Sequence, residues 1–484
     1  MLIWGILVFT VQILTCLLIL LQRRDPVSSI AWFFFVLLFP VFGVLMYFIF
    51  GYFPFERKQR RIRKYRGKRD LLRELTHHVS FKRAPYKHRD EELKALLQQE
   101  DLINTSHLLE NLTGHRMTYR NNIQTLVDGN ETYQVMEEHL LQAEKYILFQ
   151  FFIFNADHAG ERFREILIRK AREGVKVYFL YDHLANLFLP GKFLRPMVEA
   201  GIQVVSFSPV YSFARKFQFN FRNHRKIIII DGYKAFTGGL NIGRDYLGEN
   251  RKLKGWRDNH FFIEGPVAAD MEKTFQEDWF FATNKQIALP SAGSAPLPGT
   301  DNNVLMQSVP SGPNDFVDVK HLTFTQLVET AQKSLWIQTP YFIPDISLIH
   351  AFQLASLRGL DVRIMVPKIA QYAPIHYASH SFFPELLETG VKIYRYLPSF
   401  LHTKTCIIDD SITLIGSTNI DNRSFRLSFE LDLLVINKAF NRELKSLFHG
   451  DLARSEEVDI KKLRELKFPR LLLTNFCRLF APVL

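Results

Sequence analysis

The chain has 484 residues, about three times a typical single domain, which argues against one compact core. It is 47% hydrophobic with 44 phenylalanines, too apolar for a disordered chain, and its three cysteines (Cys16, Cys406, Cys477) are too widely spaced for a structural zinc site or a disulfide framework. Net charge is +12, but residues 57–69 hold nine basic residues and no acid, so the rest of the chain carries only +3.

Residues 2–21, LIWGILVFTVQILTCLLILL, form an almost unbroken apolar run. At a helical rise of about 1.5 Å per residue they reach roughly 30 Å, the thickness of a hydrocarbon core. RRDP at 23–26 breaks the run, and residues 30–50 supply a second, uncharged one. A signal peptide would need a basic n-region and a small-residue cleavage site, and neither is present. The expectation is a transmembrane helical hairpin over 1–51, with a kink or a re-entrant path at Pro40 and Gly43. The basic block after it predicts, by the positive-inside rule, that everything beyond lies in the cytoplasm. The same block suits anionic lipid headgroups.

Residues 52–105 read as a basic juxtamembrane linker. From Ala143 the chain alternates strand-like and helix-like segments: YILFQFFIF, then GERFREILIRKAREG, then VKVYFLYD. Such alternation predicts α/β layers. LPSAGSAPLPGTDN at 289–302 reads as a linker, and beyond it the pattern restarts. AEKYILFQFFIF at Ala143 corresponds to AQKSLWIQTPYF at Ala331, AREGVKVYFL at Ala171 to LRGLDVRIMV at Leu357, EAGIQVV at Glu199 to ETGVKIY at Glu388, and NHRKIIIID at Asn223 to LHTKTCIID at Leu401. Four landmarks in constant order mark a tandem duplication, residues 106–288 and 303–484, whose units face each other across a pseudo-twofold axis.

Each unit carries HxKxxxxD followed by a Gly/Ser–Asn element: His224, Lys226 and Asp231 before GGLNIG with Asn241, and His402, Lys404 and Asp409 before GSTNID with Asn419. In both, histidine and asparagine are 17 residues apart. Asp231, at an Asp-Gly turn of opposite strand parity, suits bracing a hairpin better than touching a substrate. One histidine and one lysine from each half fit phosphodiester transfer. One imidazole attacks phosphorus, the other protonates the leaving alcohol and later deprotonates the incoming one, and lysines and asparagines hold the non-bridging oxygens. This chemistry needs no metal and no cofactor.

The duplicated HxKxxxxD motif resembles the signature of the phospholipase D superfamily. RNHRKIIIIDGYKAFTGGLNIGRDYLG, the WRDNHF from Trp256 and the basic-flanked hairpin are similar to its bacterial cardiolipin synthases over nearly the whole chain. The resemblance implies a two-lobed α/β fold with the active site between lobes and a covalent phosphatidyl-histidine. It implies two phosphatidylglycerol molecules giving cardiolipin and glycerol, in a bacterial plasma membrane. His224 is then the nucleophile and His402 the acid and base. Lys226, Lys404, Asn241 and Asn419 bind phosphate. A carboxylate 25 to 35 positions after each histidine orients its ring, which selects Asp258 for His224 and Glu430 for His402. Alternatives of the same fold are a phospholipase D hydrolase and a transferase using phosphatidylethanolamine. A nuclease is disfavoured because the positive charge is concentrated beside the anchor, and no nucleic-acid partner is expected. The loop FSPVYSFARKFQFNF at 207–221 suits either the membrane interface or the core. The C-terminal FPRLLLTNFCRLFAPVL suits either a surface-lying segment or a docking helix.

Overall fold

The computed structural model describes residues 2–21, 26–51, 93, 95–97, 102–207, 221–290, 304–315 and 317–481. The basic block at 57–69, residues 208–220 of the aromatic loop and nearly all of the 289–302 linker lie outside the described residues.

The first apolar run is helix α1 (Leu2–Leu21). Its Ile3–Leu21 portion, with mean hydropathy 2.5, is the one helix among the described residues long and apolar enough to cross a membrane. The second run is helical but divided. Helices α2 (Pro26–Leu38) and α3 (Pro40–Met46) are separated at Phe39, and a π-helical turn, Tyr47–Gly51, follows. Pro40 has no N–H to offer the Val36 carbonyl. Gln12 Nε2 of α1 donates to that oxygen instead, at 3.1 Å, and to the Leu37 oxygen at 2.9 Å. A Cβ on Gly43 would lie 2.7 Å from the Phe35 carbonyl oxygen, so α3 folds back against α2 at a point where glycine alone fits.

Two sets of strands build the body. The first is β1 (Thr118–Val127), β2 (Tyr146–Phe151), β3 (Lys176–Asp182), β4 (Gln203–Phe207), β5 (Ile227–Ile230), β6 (Lys234–Gly238) and β7 (Asn259–Glu264). The second is β8 (Val304–Ser311), β9 (Ser334–Gln338), β10 (Asp361–Pro367), β11 (Lys392–Tyr396), β12 (Thr405–Ile408), β13 (Ile412–Gly416) and β14 (Ser428–Ile436), with β15 (Ser455–Glu457) on the edge. They join in one 16-stranded sheet of order β15-β11-β10-β9-β12-β13-β14-β8-β1-β7-β6-β5-β2-β3-β4, with Arg222–Asn223 attached beside β14. Outward from the β8–β1 pair, both halves repeat one order. The four sequence landmarks fall on β2 and β9, β3 and β10, β4 and β11, and β5 and β12.

Burial on both faces explains why β2 is apolar except at Gln150. Ile147 and Phe149 pack with Phe163 and Leu167 of the helix His158–Arg172, whose N-terminus Asp157 caps by accepting from the Ala159 and Gly160 amides. Tyr146 and Leu148 pack on the other face with Met271 and Phe275 of the helix Val267–Thr283. That second layer also contains Ile407, Leu431 and Leu433, so the halves share a core. The helix Ile103–Thr113 crosses the sequence division as well. Its Leu109 joins the apolar core of the second half, and Gln307 Nε2 donates to the Ser106 oxygen at 3.1 Å. The strand β1, antiparallel to both β7 and β8, is the reason. At the ends of the aromatic loop the interfacial reading fails: Phe207 and Phe221 are buried, with Phe207 stacked on Phe281 at 4.9 Å.

Candidate active site at the seam of the two lobes

Short parallel pairings carry each motif histidine across the seam. Arg222–Asn223 pairs with Ser428–Phe429 of β14, and Phe400–Leu401 pairs with Trp256–Arg257, just before β7. The His224 amide donates to the Phe429 oxygen at 2.9 Å, and the His402 amide to the Arg257 oxygen at 2.7 Å. Each histidine therefore lies against the carboxylate strand of the other lobe. His224 Nδ1 is 3.0 Å from Glu430 Oε2, and His402 Nδ1 is 2.6 Å from Asp258 Oδ2. Counting along the chain assigns these carboxylates the other way round, and the cross-lobe strand pairing corrects that assignment. With Nδ1 held by a carboxylate, Nε2 is the nitrogen each ring has left for a substrate. Phe152 meets the His224 ring edge-on at 4.8 Å, and Trp256 flanks the His402 ring at 4.7 Å.

Both lysines are buried beside these rings. Lys226 Nζ donates to the His224 carbonyl at 2.7 Å. Lys404 Nζ donates to the His402 carbonyl and lies 2.9 Å from His402 Nδ1. Burial, reinforced by the neighbouring Lys404 charge, pushes Lys226 down to about 7, and burial pushes Lys404 down to about 8. Burial brings His224 to about 4 against the pull of Glu430, and drives His402 well below the usual histidine value. The two carboxylates differ. Burial would raise Glu430, but His224, Lys320 and Lys226 outweigh it and hold it below the usual glutamate value. Burial raises Asp258 despite Lys404. Ser417 Oγ also donates to Glu430 at 2.5 Å. Gly239 stands at the matching position of GGLN, and a Cβ there would lie 2.1 Å from Asp258 Oδ1. The GG/GS difference between the halves thus follows from the seat of each carboxylate.

The remaining motif residues separate. Asp231 accepts from the amides of Glu144, Lys145 and Tyr146, and Asp409 from those of Gln332, Lys333 and Ser334. The HxKxxxxD motif groups both with the catalytic set, but they clamp the starts of β2 and β9 to the turns before β6 and β13, the bracing role that strand parity gave Asp231. Asn241 is committed within its own lobe, its Oδ1 accepting from the Ile153 amide at 3.1 Å and its Nδ2 donating to the Tyr246 hydroxyl at 3.1 Å. Asn419 Oδ1 is buried without a partner among the described residues.

The family described as "Cardiolipin synthase, PLD-like domain" matches residues 136–279 and 324–452, and the one described as "Phospholipase_D-nuclease N-terminal" matches 11–51. The chain is 35% identical to cardiolipin synthase 2 of Bacillus anthracis over 467 residues, covering 96% of this chain and 88% of that one. It is 35% identical to cardiolipin synthase A of Pseudomonas entomophila (95% and 94% covered) and 33% identical to the cardiolipin synthase of Halalkalibacterium halodurans (99% and 94%). The chain belongs to the phospholipase D-like cardiolipin synthase family. Among solved structures, the phosphatidylserine synthase of Haemophilus influenzae superposes with a TM-score of 0.61 at 17% identity, covering 79% of this chain and all of that one, a likeness of fold.

Two buried arginines that motif reading misses, each paired with an aspartate, reach across the seam of this family member. Arg225 donates to Asp278 Oδ1 at 2.5 Å and to the Glu430 carbonyl at 2.8 Å. Arg257 donates to Asp451 Oδ1 at 3.1 Å and to the Asp258 carbonyl at 2.8 Å. Gln150 of β2 and Gln338 of β9 donate to the same two aspartates, at 2.8 and 3.0 Å. A glutamine at matching positions of two otherwise apolar strands was the signal in the sequence.

Proposed function

We propose that this chain is a cardiolipin synthase working through a phosphohistidine. His224 Nε2 attacks the phosphorus of one phosphatidylglycerol, a P–N bond forms, the P–O bond to the glycerol headgroup breaks, and His402 gives that oxygen its proton. Free glycerol leaves. A headgroup hydroxyl of a second phosphatidylglycerol then attacks the same phosphorus while His402 takes its proton. The P–N bond breaks, and cardiolipin is released. The observation that carries this reading is the pair of imidazoles, one per lobe, each fixed at Nδ1 by a carboxylate from the opposite lobe. The firmly ionised Glu430 suits His224 to the nucleophile's part, because a phosphorylated imidazole is cationic. An anionic phosphodiester entering beside Lys226, Lys404 and His402 favours their protonated forms, which supplies the proton for the leaving alcohol. Asn419, with its buried and unpartnered oxygen, is the asparagine suited to the acceptor hydroxyl.

The same reading takes residues 1–51 as a two-pass anchor, with 52–105 as a linker and 106–288 and 303–484 as the two catalytic units. The basic block supports a cytoplasmic body in a bacterial plasma membrane, and the near-neutral body supports lipid rather than nucleic acid as substrate. A C-terminal reporter active only after export would overturn the orientation. For the reaction, the purified chain receives phosphatidylglycerol in mixed micelles without metal or nucleotide. Cardiolipin and glycerol in equal amounts are expected. Phosphatidic acid in their place would make the chain a hydrolase.

A further inference from the structure

The C-terminal helix Phe468–Arg478 is amphipathic in the inverted sense. It turns Thr474 and Cys477 into the protein and leaves Phe468, Leu472, Phe476 and Leu479 outward, at 74%, 59%, 55% and 74% exposure. Their spacing of four, four and three residues places them in one stripe. Residues 460–478 hold six basic side chains against one acidic one. Of these, Lys461, Lys462, Lys467 and Arg470 make no ion pair among the described residues, whereas Arg464 and Arg478 are tied to Glu388 and Glu385. An exposed apolar stripe flanked by unpaired cations matches the chemistry of an anionic bilayer surface.

The helix is also fastened to the second lobe, in part beside the loop that carries Asn419. Arg478 donates to the Ser381 oxygen at 3.0 Å. Asn422 Nδ2 donates to the Ala481 oxygen at 3.1 Å, and Asn422 lies three residues after Asn419. The helix Ala373–His380, which packs along the C-terminal helix, begins just beyond β10, and Gln371 before it accepts from the Tyr341 hydroxyl. A surface that receives the C-terminal helix is therefore held close to the end of the seam that carries Asn419.

We infer that the helix Phe468–Arg478 lies in the interface of an anionic bilayer and sets the lobe seam against the lipid surface. This rests on the lipid-transfer reading above. The helical anchor tethers the chain to the membrane, and the C-terminal helix fixes how the body faces it.

The test compares the full chain with a Leu472→Ser, Phe476→Ser, Leu479→Ser variant, both reconstituted in vesicles of phosphatidylglycerol and phosphatidylcholine. Each is also assayed on monomeric dihexanoyl phosphatidylglycerol in detergent. A loss of tenfold or more on vesicles, with turnover of the short-chain lipid kept, is expected. Equal turnover on vesicles would overturn the inference while leaving the lipid-transfer reading intact. Equal turnover together with a change from dimer to monomer would assign the stripe to a second copy and likewise overturn it. Absence of lipid transfer by the unmodified chain on both substrates would instead remove the reading on which the inference rests. Should the triple variant fail to fold, a bimane label on Leu472→Cys reports directly. Quenching by shallowly brominated lipid in the same vesicles is expected, and no quenching overturns the inference.

Discussion

Burial holds the Lys226 ammonium near 7 and the His224 imidazole near 4, so the charge proposed to bind the anion and the lone pair proposed to attack phosphorus coexist between those values. Above pH 7 the free enzyme loses the Lys226 cation, and below pH 4 it protonates the His224 ring. The expected profile of kcat/KM on phosphatidylglycerol micelles is a bell with limbs near 4 and 7, about tenfold per pH unit on each side. A flat profile between pH 6 and 9 would mean that Lys226 stays charged and that its burial is offset within the site. The division of labour between the histidines is tested by covalent labelling with lipid carrying radioactive phosphate. His224→Ala should abolish the label. His402→Ala should retain it while slowing turnover about 10²- to 10⁴-fold. The opposite pattern would exchange the two roles.

At the scale of elements, the strands around each motif fix what the motif residues can do. Asp231 and Asp409 have positive φ, 53° and 47°, in the turns that follow β5 and β12, which points their carboxylates at the amides leading into β2 and β9. Gly239 leaves room for Asp258, and its counterpart Ser417 instead donates to Glu430. Gly239→Ala is expected to push Asp258 off His402 Nδ1 and to lower kcat about 10²-fold, while Ser417→Ala, which removes one donor and adds no bulk, costs far less. Comparable losses in both variants would show that the Asp258 seat yields to an added methyl. At the N-terminus, the length of the unbroken apolar runs revealed the helices, but the division at Phe39 and the donation from Gln12 depend on α1 lying against α2. A proline in the sequence marks where a helix can break, and only packing decides how far the chain turns there.

For the whole molecule, stability and catalysis meet at the seam. The Arg257–Asp451 pair is almost fully buried and joins the first lobe to the second. Asp451→Ala would leave a buried guanidinium with one carboxylate neighbour fewer and is expected to destabilise the fold by about 3–5 kcal/mol. Urea titration of the full chain in detergent measures this. The double variant Arg257→Met, Asp451→Leu should recover part of the loss, because it removes the stranded charge as well. A single variant as stable as the unmodified chain would show that the lobes are held by their shared apolar layer alone.

Composition, periodicity and repetition in the sequence determined that α1 is long and apolar enough to cross a membrane, the duplication, the α/β class and the two HxK pairs, because each is a local pattern or a comparison of one stretch with another. Tertiary structure decided which carboxylate lies against which histidine, that Asn241 is spent on the Ile153 amide, that Phe207 lies in the core, and that the C-terminal helix turns its apolar stripe outward. Each of those depends on contacts between residues far apart in the chain. The crossed pairing is the clearest case. Chain distance favours Asp258 for His224, but Arg222–Asn223 and Phe400–Leu401 each pair with a strand of the opposite lobe, and that pairing exchanges the partners.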